Sequence, residues 1–247
     1  MICAASVTAQ FVAGKAARDA LYLANLPVTS LPAMVVATSV CSILFAIASA
    51  RVLRRLSPAA FVPAAFAACA VLFVVEWMLE PAAPKAIARL VYLQVSGVGP
   101  ILGSGFWLIA SERFNPRTAK QSYGAITAAG TLGGLVGGLL AERVAAVLGM
   151  AAVLPMLALI NAVCAWQVRG LAAPMDTEAA TRRIADAPEL SPSPARPGLR
   201  ALSHIAYLRD LAALVAPGTT GAALADYAFR AEAAGALGRG GSQVRFF

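Results

Sequence analysis

"AMVVATSVCSILFAIASA", residues 33–50, is an eighteen-residue run without one Asp, Glu, Lys, Arg or His. A hydrocarbon core about 30 Å thick takes roughly 20 apolar residues at a helical rise of ~1.5 Å each, so this stretch reads as a membrane-spanning helix. Similar runs flank it, from Ile2 to Leu23, Ala59 to Leu79, Ile87 to Ala110, Tyr123 to Leu140 and Val144 to Val168. Six spans are therefore expected. Across the 247 residues, 60% are hydrophobic and 13% charged, which lies outside the range of soluble domains. The fold class expected is all-α, a polytopic membrane helix bundle.

The connections carry the punctuation such a bundle needs. Prolines break "NLPVTSLP" (25–32) and "EPAAPK" (80–85), three arginines crowd "RVLRRL" (51–56), and "AERVAA" (141–146) is read as the short loop before the sixth span. From Arg169 the composition changes. "TRRIADAPELSPSPARPGL" (181–199) is rich in Pro, Ser and mixed charge, the make-up of a solvated linker. Three regions follow: a six-helix bundle over 1–168, a polar cytoplasmic linker over 169–208, and a seventh span with the start of an incomplete second bundle over 209–247. The seventh apolar run, Leu211 to Leu237, is interrupted by "APGTTG" (216–221). The stop soon after it also admits a truncated carrier.

Basic residues of short loops fall on one side when the spans alternate: Arg51, Arg54 and Arg55, then Arg113, Arg117 and Lys120, then the arginine-bearing linker. That side is the cytoplasm by the positive-inside rule, and the N-terminus lies there too. The expected location is a cell membrane, the bacterial inner membrane in particular. "MICAASVTAQFVAG" (1–14) has no basic leader and reads as part of the first span rather than a signal peptide.

Several function classes drop out. The net charge of +8 does not imply nucleic acid, because the arginines sit between apolar runs rather than along one basic face. Cys3, Cys41, Cys69 and Cys164 each lie in an apolar run without metal-ligand spacing, as small buried thiols do. Phosphate-cradling, zinc and nucleophile-elbow motifs are missing, so no enzyme, metal or cofactor is expected.

Chemistry concentrates in "FVAGKAARDALYL" (11–23). Lys15, Arg18 and Asp19 stand at i, i+3 and i+4 and share one helix face. Charges sunk in a span are costly and usually border a polar path, although Lys15, roughly 21 Å along the helix, is also within snorkelling reach of an interface. Two glycine-rich faces accompany the charges. Gly130, Gly134 and Gly138 recur every four residues with Gly133 and Gly137 beside them, and Gly97, Gly99, Gly103 and Gly105 surround Pro100, so both faces invite close helix packing. Glu76 and Glu112 read as interfacial carboxylates, Asp226 and Arg230 as an i, i+4 pair, His204 as solvated, and Trp77, Trp107 and Trp166 as an aromatic belt.

"KAARDALYLANLPVTSLP" (15–32) and "GFWLIASERFNPRTAKQSYGAITAAGTLGGLVGG" (105–138) resemble the ATP:ADP antiporter, or nucleotide translocase, family, a relative of the major facilitator superfamily. The second stretch is the more specific, through Phe106, Trp107, Glu112, Phe114, Asn115, Pro116, Arg117, Ala119 and Lys120 ahead of the glycine ladder. The likeness runs from about Phe11 to Gly170, with a looser continuation through the seventh span. It implies half of a twelve-helix carrier with an anionic substrate, nucleotide among the options, bound midway between two six-helix bundles. Arg18 and Asp19 match the family's Lys-Asp pair, whereas Gln94, Val95 and Ser96 stand where it has a carboxylate, and Ala50 where the superfamily's loop motif is acidic. The resemblance implies Arg18 and Asp19 as substrate-binding residues, and Lys15, on the same helix face, joins them as the third expected one. Implied partners are the bilayer, the anion, and a second half-transporter or another copy. A transport-inactive anchor or regulatory module is the alternative.

Overall fold

The computed structural model describes residues 1–113, 116–172 and 206–237, except for side chains near the edges of those segments and some in the last helix. Every element among them is helical. α1 spans Ile2–Asn25, α2 Leu31–Leu53, α3 Pro58–Leu79, α4 Pro84–Arg113, α5 Pro116–Leu148, α6 Val153–Ala172 and α7 Ala206–Leu237, with single 3-10 turns at Val28–Ser30 and Met150–Ala152. Helices α1 to α6 belong to one compact unit and α7 to a second.

Local chemistry sets the boundaries. Pro58, Pro84 and Pro116 each open a helix, where a missing N–H costs nothing and the fixed φ is already helical. α5 ends at Gly149, whose φ of 88° suits a residue without a Cβ. Connections of only a few residues make consecutive helices antiparallel within the unit.

The helices differ sharply in how they are used. α1 buries thirteen of its 24 residues and packs on α5, α4 and α6. α2 buries three of 23, leaving Val36, Ile43 and Leu44 exposed. Such an apolar outer surface suits lipid rather than water. Two apolar clusters fill the interior, one around Phe66, Leu102 and Phe106, the other around Phe73, Val91 and Leu157. The packing has an internal repeat. Replacing helix n by n+3 turns α1·α5 into α4·α2, α1·α6 into α4·α3 and α2·α3 into α5·α6, while α1·α4 and α3·α6 map onto themselves; only the slight α4·α6 contact lacks a counterpart.

Five described helices, not six, are long and apolar enough to cross a membrane: Val28–Leu53, Pro58–Leu79, Pro84–Ser111, Tyr123–Leu148 and Met150–Leu171. The helix that falls short within the bundle is α1. Gln10, Lys15, Arg18 and Asp19 lower its hydropathy, and the three helices α4, α5 and α6 shield much of it, so it does not need a wholly apolar surface. Two expected interruptions are also absent. "AERVAA" continues α5, because Ala, Glu and Arg favour helix, and the break waits for Gly149. α7 runs through "APGTTG" with Pro217 inside it, while Thr219 Oγ1 donates to the Val215 and Ala216 carbonyls and Thr220 Oγ1 to that of Ala216. The linker between α6 and α7 lies outside the described residues over 173–205.

Candidate functional site

Arg18 and Asp19 are adjacent on α1, 6% and 7% exposed, and engage each other as a fork. Arg18 Nε donates to Asp19 Oδ1 at 2.8 Å and Nη2 to Oδ2 at 3.1 Å. Nη1 donates across to Ser96 Oγ on α4 at 2.7 Å. The guanidinium also lies over the Tyr92 ring, 4.6 Å from its centroid, and Tyr92 in turn meets Tyr22 at 4.9 Å. Tyr22 closes the chain of contacts by sharing a 2.7 Å hydrogen bond with Ser30 in the turn after α1. A planar guanidinium is suited to this: two parallel bonds to a carboxylate, one to a hydroxyl, a face for an aromatic ring.

Lys15 does not join them. It is exposed, with Nζ over the Phe11 ring at 5.1 Å. The common face expected from the i, i+3, i+4 spacing therefore divides at its edge, Arg18 and Asp19 turning under α4 and Lys15 turning out. Phe11 also lines a cleft of about 370 Å³ between α1, α4 and α5, together with Thr8, Gln10, Trp107, Thr127 and Thr131. Lys15 thus stands beside the cleft while the Arg18 network is enclosed.

The glycines set the width of the α1–α5 seam. A Cβ on Gly133 would lie 2.5 Å from Ala5 Cα, and one on Gly137 would lie 2.6 Å from Ala9 Cα, so main chain meets main chain at both. Gly130 and Gly134 face Thr8 and Val12 side chains at 3.1 and 3.2 Å, and Gly138 has ordinary contact at 3.6 Å. All five ladder glycines line the same seam, but the two beside the expected stripe are the tightest. On α4, Gly105 and Gly97 admit Val62 and Phe45 in the same way.

Glu76 departs most from its reading as an interfacial carboxylate. It is wholly buried, and neither carboxylate oxygen has a hydrogen-bond partner. Gln94 is 5% exposed with both amide atoms unpartnered, and buried Asn161 bonds the Leu157 carbonyl through Nδ2 while Oδ1 has no partner. Sequence reasoning passed over Asn161 and over the tie from Ser96 and Tyr92 to Arg18. A signal for Glu76 existed, since it continues the buried series Val62, Phe66, Cys69, Phe73 at helical spacing. The series was hidden because the lipid-facing positions of α3 are apolar too.

Smaller readings divide. Cys69 and Cys164 are buried, whereas Cys3 and Cys41 are half-buried, because α1 and α2 leave those positions at the bundle surface. Trp77, Trp107 and Trp166 are all exposed. The Glu112 side chain, His204 and the Arg230 side chain lie outside the described residues, as do the side chains of Arg113, Arg117 and Lys120. Among the described residues no group of three acidic, Cys or His side chains is placed to hold a metal.

Fold and site together define a class: an all-helical bundle with five helices suited to a bilayer and an ion pair enclosed within it. No protein-family model matches the chain, and no curated protein or solved structure matches it either.

Proposed function

We propose that the chain is a membrane-embedded secondary carrier for an anionic solute, of the nucleotide-antiporter type that residues 15–32 and 105–138 resemble. The observation carrying this reading is the placement of ionic groups: the bundle helix least suited to lipid is the most enclosed, and Lys15 on it lies over Phe11, whose ring lines a cleft. The n to n+3 contact pattern supports the major-facilitator-like part, since such six-helix halves are built of three-helix repeats of opposite orientation. In this reading the N-terminus is cytoplasmic in a bacterial inner membrane, and a second six-helix unit completes the central site. Lys15 draws the anion in. Arg18 receives it once the anion displaces one oxygen of Asp19, and Asp19 holds the guanidinium in place between turnovers.

The test is uptake of radiolabelled nucleotides and other organic anions by liposomes containing the purified protein. Arg18→Ala and Lys15→Ala are each expected to lower uptake by at least about tenfold, or ~1.4 kcal/mol. Uptake unchanged by Arg18→Ala removes the role assigned to that residue. The completeness of the Arg18 network favours the second reading, a transport-inactive membrane module in which Arg18 only fastens α1 to α4. Absence of any ligand-induced rise in melting temperature across nucleotides and simpler anions would select it.

A further inference from the structure

A carboxylate surrounded by apolar side chains and without a hydrogen-bond donor is among the most costly arrangements a bundle can contain. Glu76 has that environment: 0% exposed, on a helix whose other buried residues include Val62, Phe66, Cys69, Ala70 and Phe73. It is not alone in lacking partners. Gln94 on α4 and Asn161 on α6 are the other nine-tenths-buried side chains with orphaned polar atoms among the described residues.

The helix register brings the three to neighbouring depths in the bundle. Val62 sits against Gly105, and α3 and α4 run antiparallel, so the residue fourteen positions on, Glu76, is level with about residue 91, one turn from Gln94. On α6, Asn161 lies between Leu157, in the apolar cluster that holds Phe73, and Cys164, in the cluster that holds Cys69. Glu76, Gln94 and Asn161 thus fall within about two helical turns where α3, α4 and α6 pack together. Orphaned donors and acceptors gathered in this way are satisfied by buried water.

Among the described residues no hydrogen bond or ion pair compensates the carboxyl. The titratable groups on the surrounding elements are Cys69 on its own helix, Lys85, Arg89, Tyr92, Glu112 and Arg113 on α4, Cys164 and Arg169 on α6, and Cys41 and Arg51 on α2, the Glu112 and Arg113 side chains lying outside the described residues at the far end of α4. Lys85, Arg89, Arg169 and Arg51 are exposed, Tyr92 is turned to Arg18 and Tyr22, Cys69 and Cys164 are buried free thiols, and Cys41 is a half-buried one. We infer that Glu76, with Gln94 and Asn161 around it, forms a buried proton-binding site that holds an exchangeable proton in the closed bundle and releases it when α3, α4 and α6 admit water. The step is a reversible transfer: carboxylate plus hydronium gives carboxylic acid plus water. It gives the bundle a means of coupling a conformational change to proton movement, independently of which solute, if any, passes Arg18.

The test uses dicyclohexylcarbodiimide on the intact protein in lipid nanodiscs. An apolar carbodiimide adds the O–H of a neutral carboxylic acid across its C=N bond and rearranges to a stable acylurea, while carboxylate ions react poorly. Mass spectrometry is expected to find the adduct on Glu76 near neutral pH, with labelling that falls as pH rises and exceeds that at Glu80 or Glu142 by at least about tenfold, one decade for each pH unit between the midpoints. Infrared spectra supply the second measurement. A carboxylic-acid C=O band is expected in the unmodified protein, lost in Glu76→Gln and moved in Gln94→Leu and Asn161→Leu. No adduct at Glu76, or an acid band unchanged by Glu76→Gln, overturns the proposal. So does protection by sodium at fixed pH, which would assign the site to a metal cation. If Glu76→Gln does not fold, the carbodiimide result on the unmodified chain still decides the matter.

Discussion

α1 meets its two principal neighbours in opposite ways. Toward α5 the contact is made by absence: Gly133 and Gly137 have no side chain, and the backbone of Ala5 and Ala9 fills the space. Toward α4 it is made by polarity, with Arg18 joined to Ser96 and Tyr92 and neutralised by Asp19. Small residues allow dense dispersion contact along a seam but carry little directional information. A buried ion pair gives little net stability, yet it permits only one rotation of α1 against α4. The first seam fixes distance and the second fixes orientation.

The contrast can be broken at several points. Gly133→Leu is expected to have the largest effect: with main chain on the other side there is no flexible neighbour to yield, so the cost exceeds the ~1–3 kcal/mol of ordinary overpacking. Size-exclusion profiles of the detergent-solubilised variant should show aggregate or no protein, while Gly138→Ala on the same seam elutes as the parent. Arg18→Leu and Asp19→Leu should each lower stability by ~3–5 kcal/mol, since either leaves one buried charge uncompensated, whereas the double variant should lose markedly less. A thermal double-mutant cycle measures this, and additive losses would show that the pair does not act as a unit. Ser96→Ala removes one charge-assisted bond and should cost ~1.5–3 kcal/mol in the same assay. Lys15→Ala should change stability by no more than about 0.5 kcal/mol, as befits an exposed residue. Any larger loss from Lys15→Ala would mean that it packs inside the bundle after all.

The sequence was most legible where helices face lipid. α2, α3 and the apolar part of α4 lie within a few residues of their expected bounds, because a largely apolar run about as long as the hydrocarbon core is thick has few other stable conformations there. It was least legible where helices meet each other. The α5–α6 break moved from 141–146 to Gly149, since Ala-rich sequence with a Glu-Arg pair continues a helix as readily as it ends one. The site shows the same division. That Arg18 and Asp19 need an enclosed polar setting follows from their charges alone, but the identity of their partners, Ser96 and Tyr92, depends on how α4 is rotated. Glu76 was misjudged because α3 is apolar on every face, leaving no periodicity to separate the core from the lipid side.

The order of apolar and polar residues by itself determined that this chain is helical, that it carries segments fit for a bilayer, and that an ionic cluster sits on the first helix. Burial in lipid is a one-body property, and each segment's transfer free energy depends on its own side chains. Only the tertiary structure decided that α1 is the enclosed helix, that Gly133 and Gly137 are the points of closest approach, and that Glu76, Gln94 and Asn161 are buried without full hydrogen bonding within about two turns of one another. Those outcomes depend on the mutual rotation and register of different helices, most of them far apart in the chain, which no local pattern encodes.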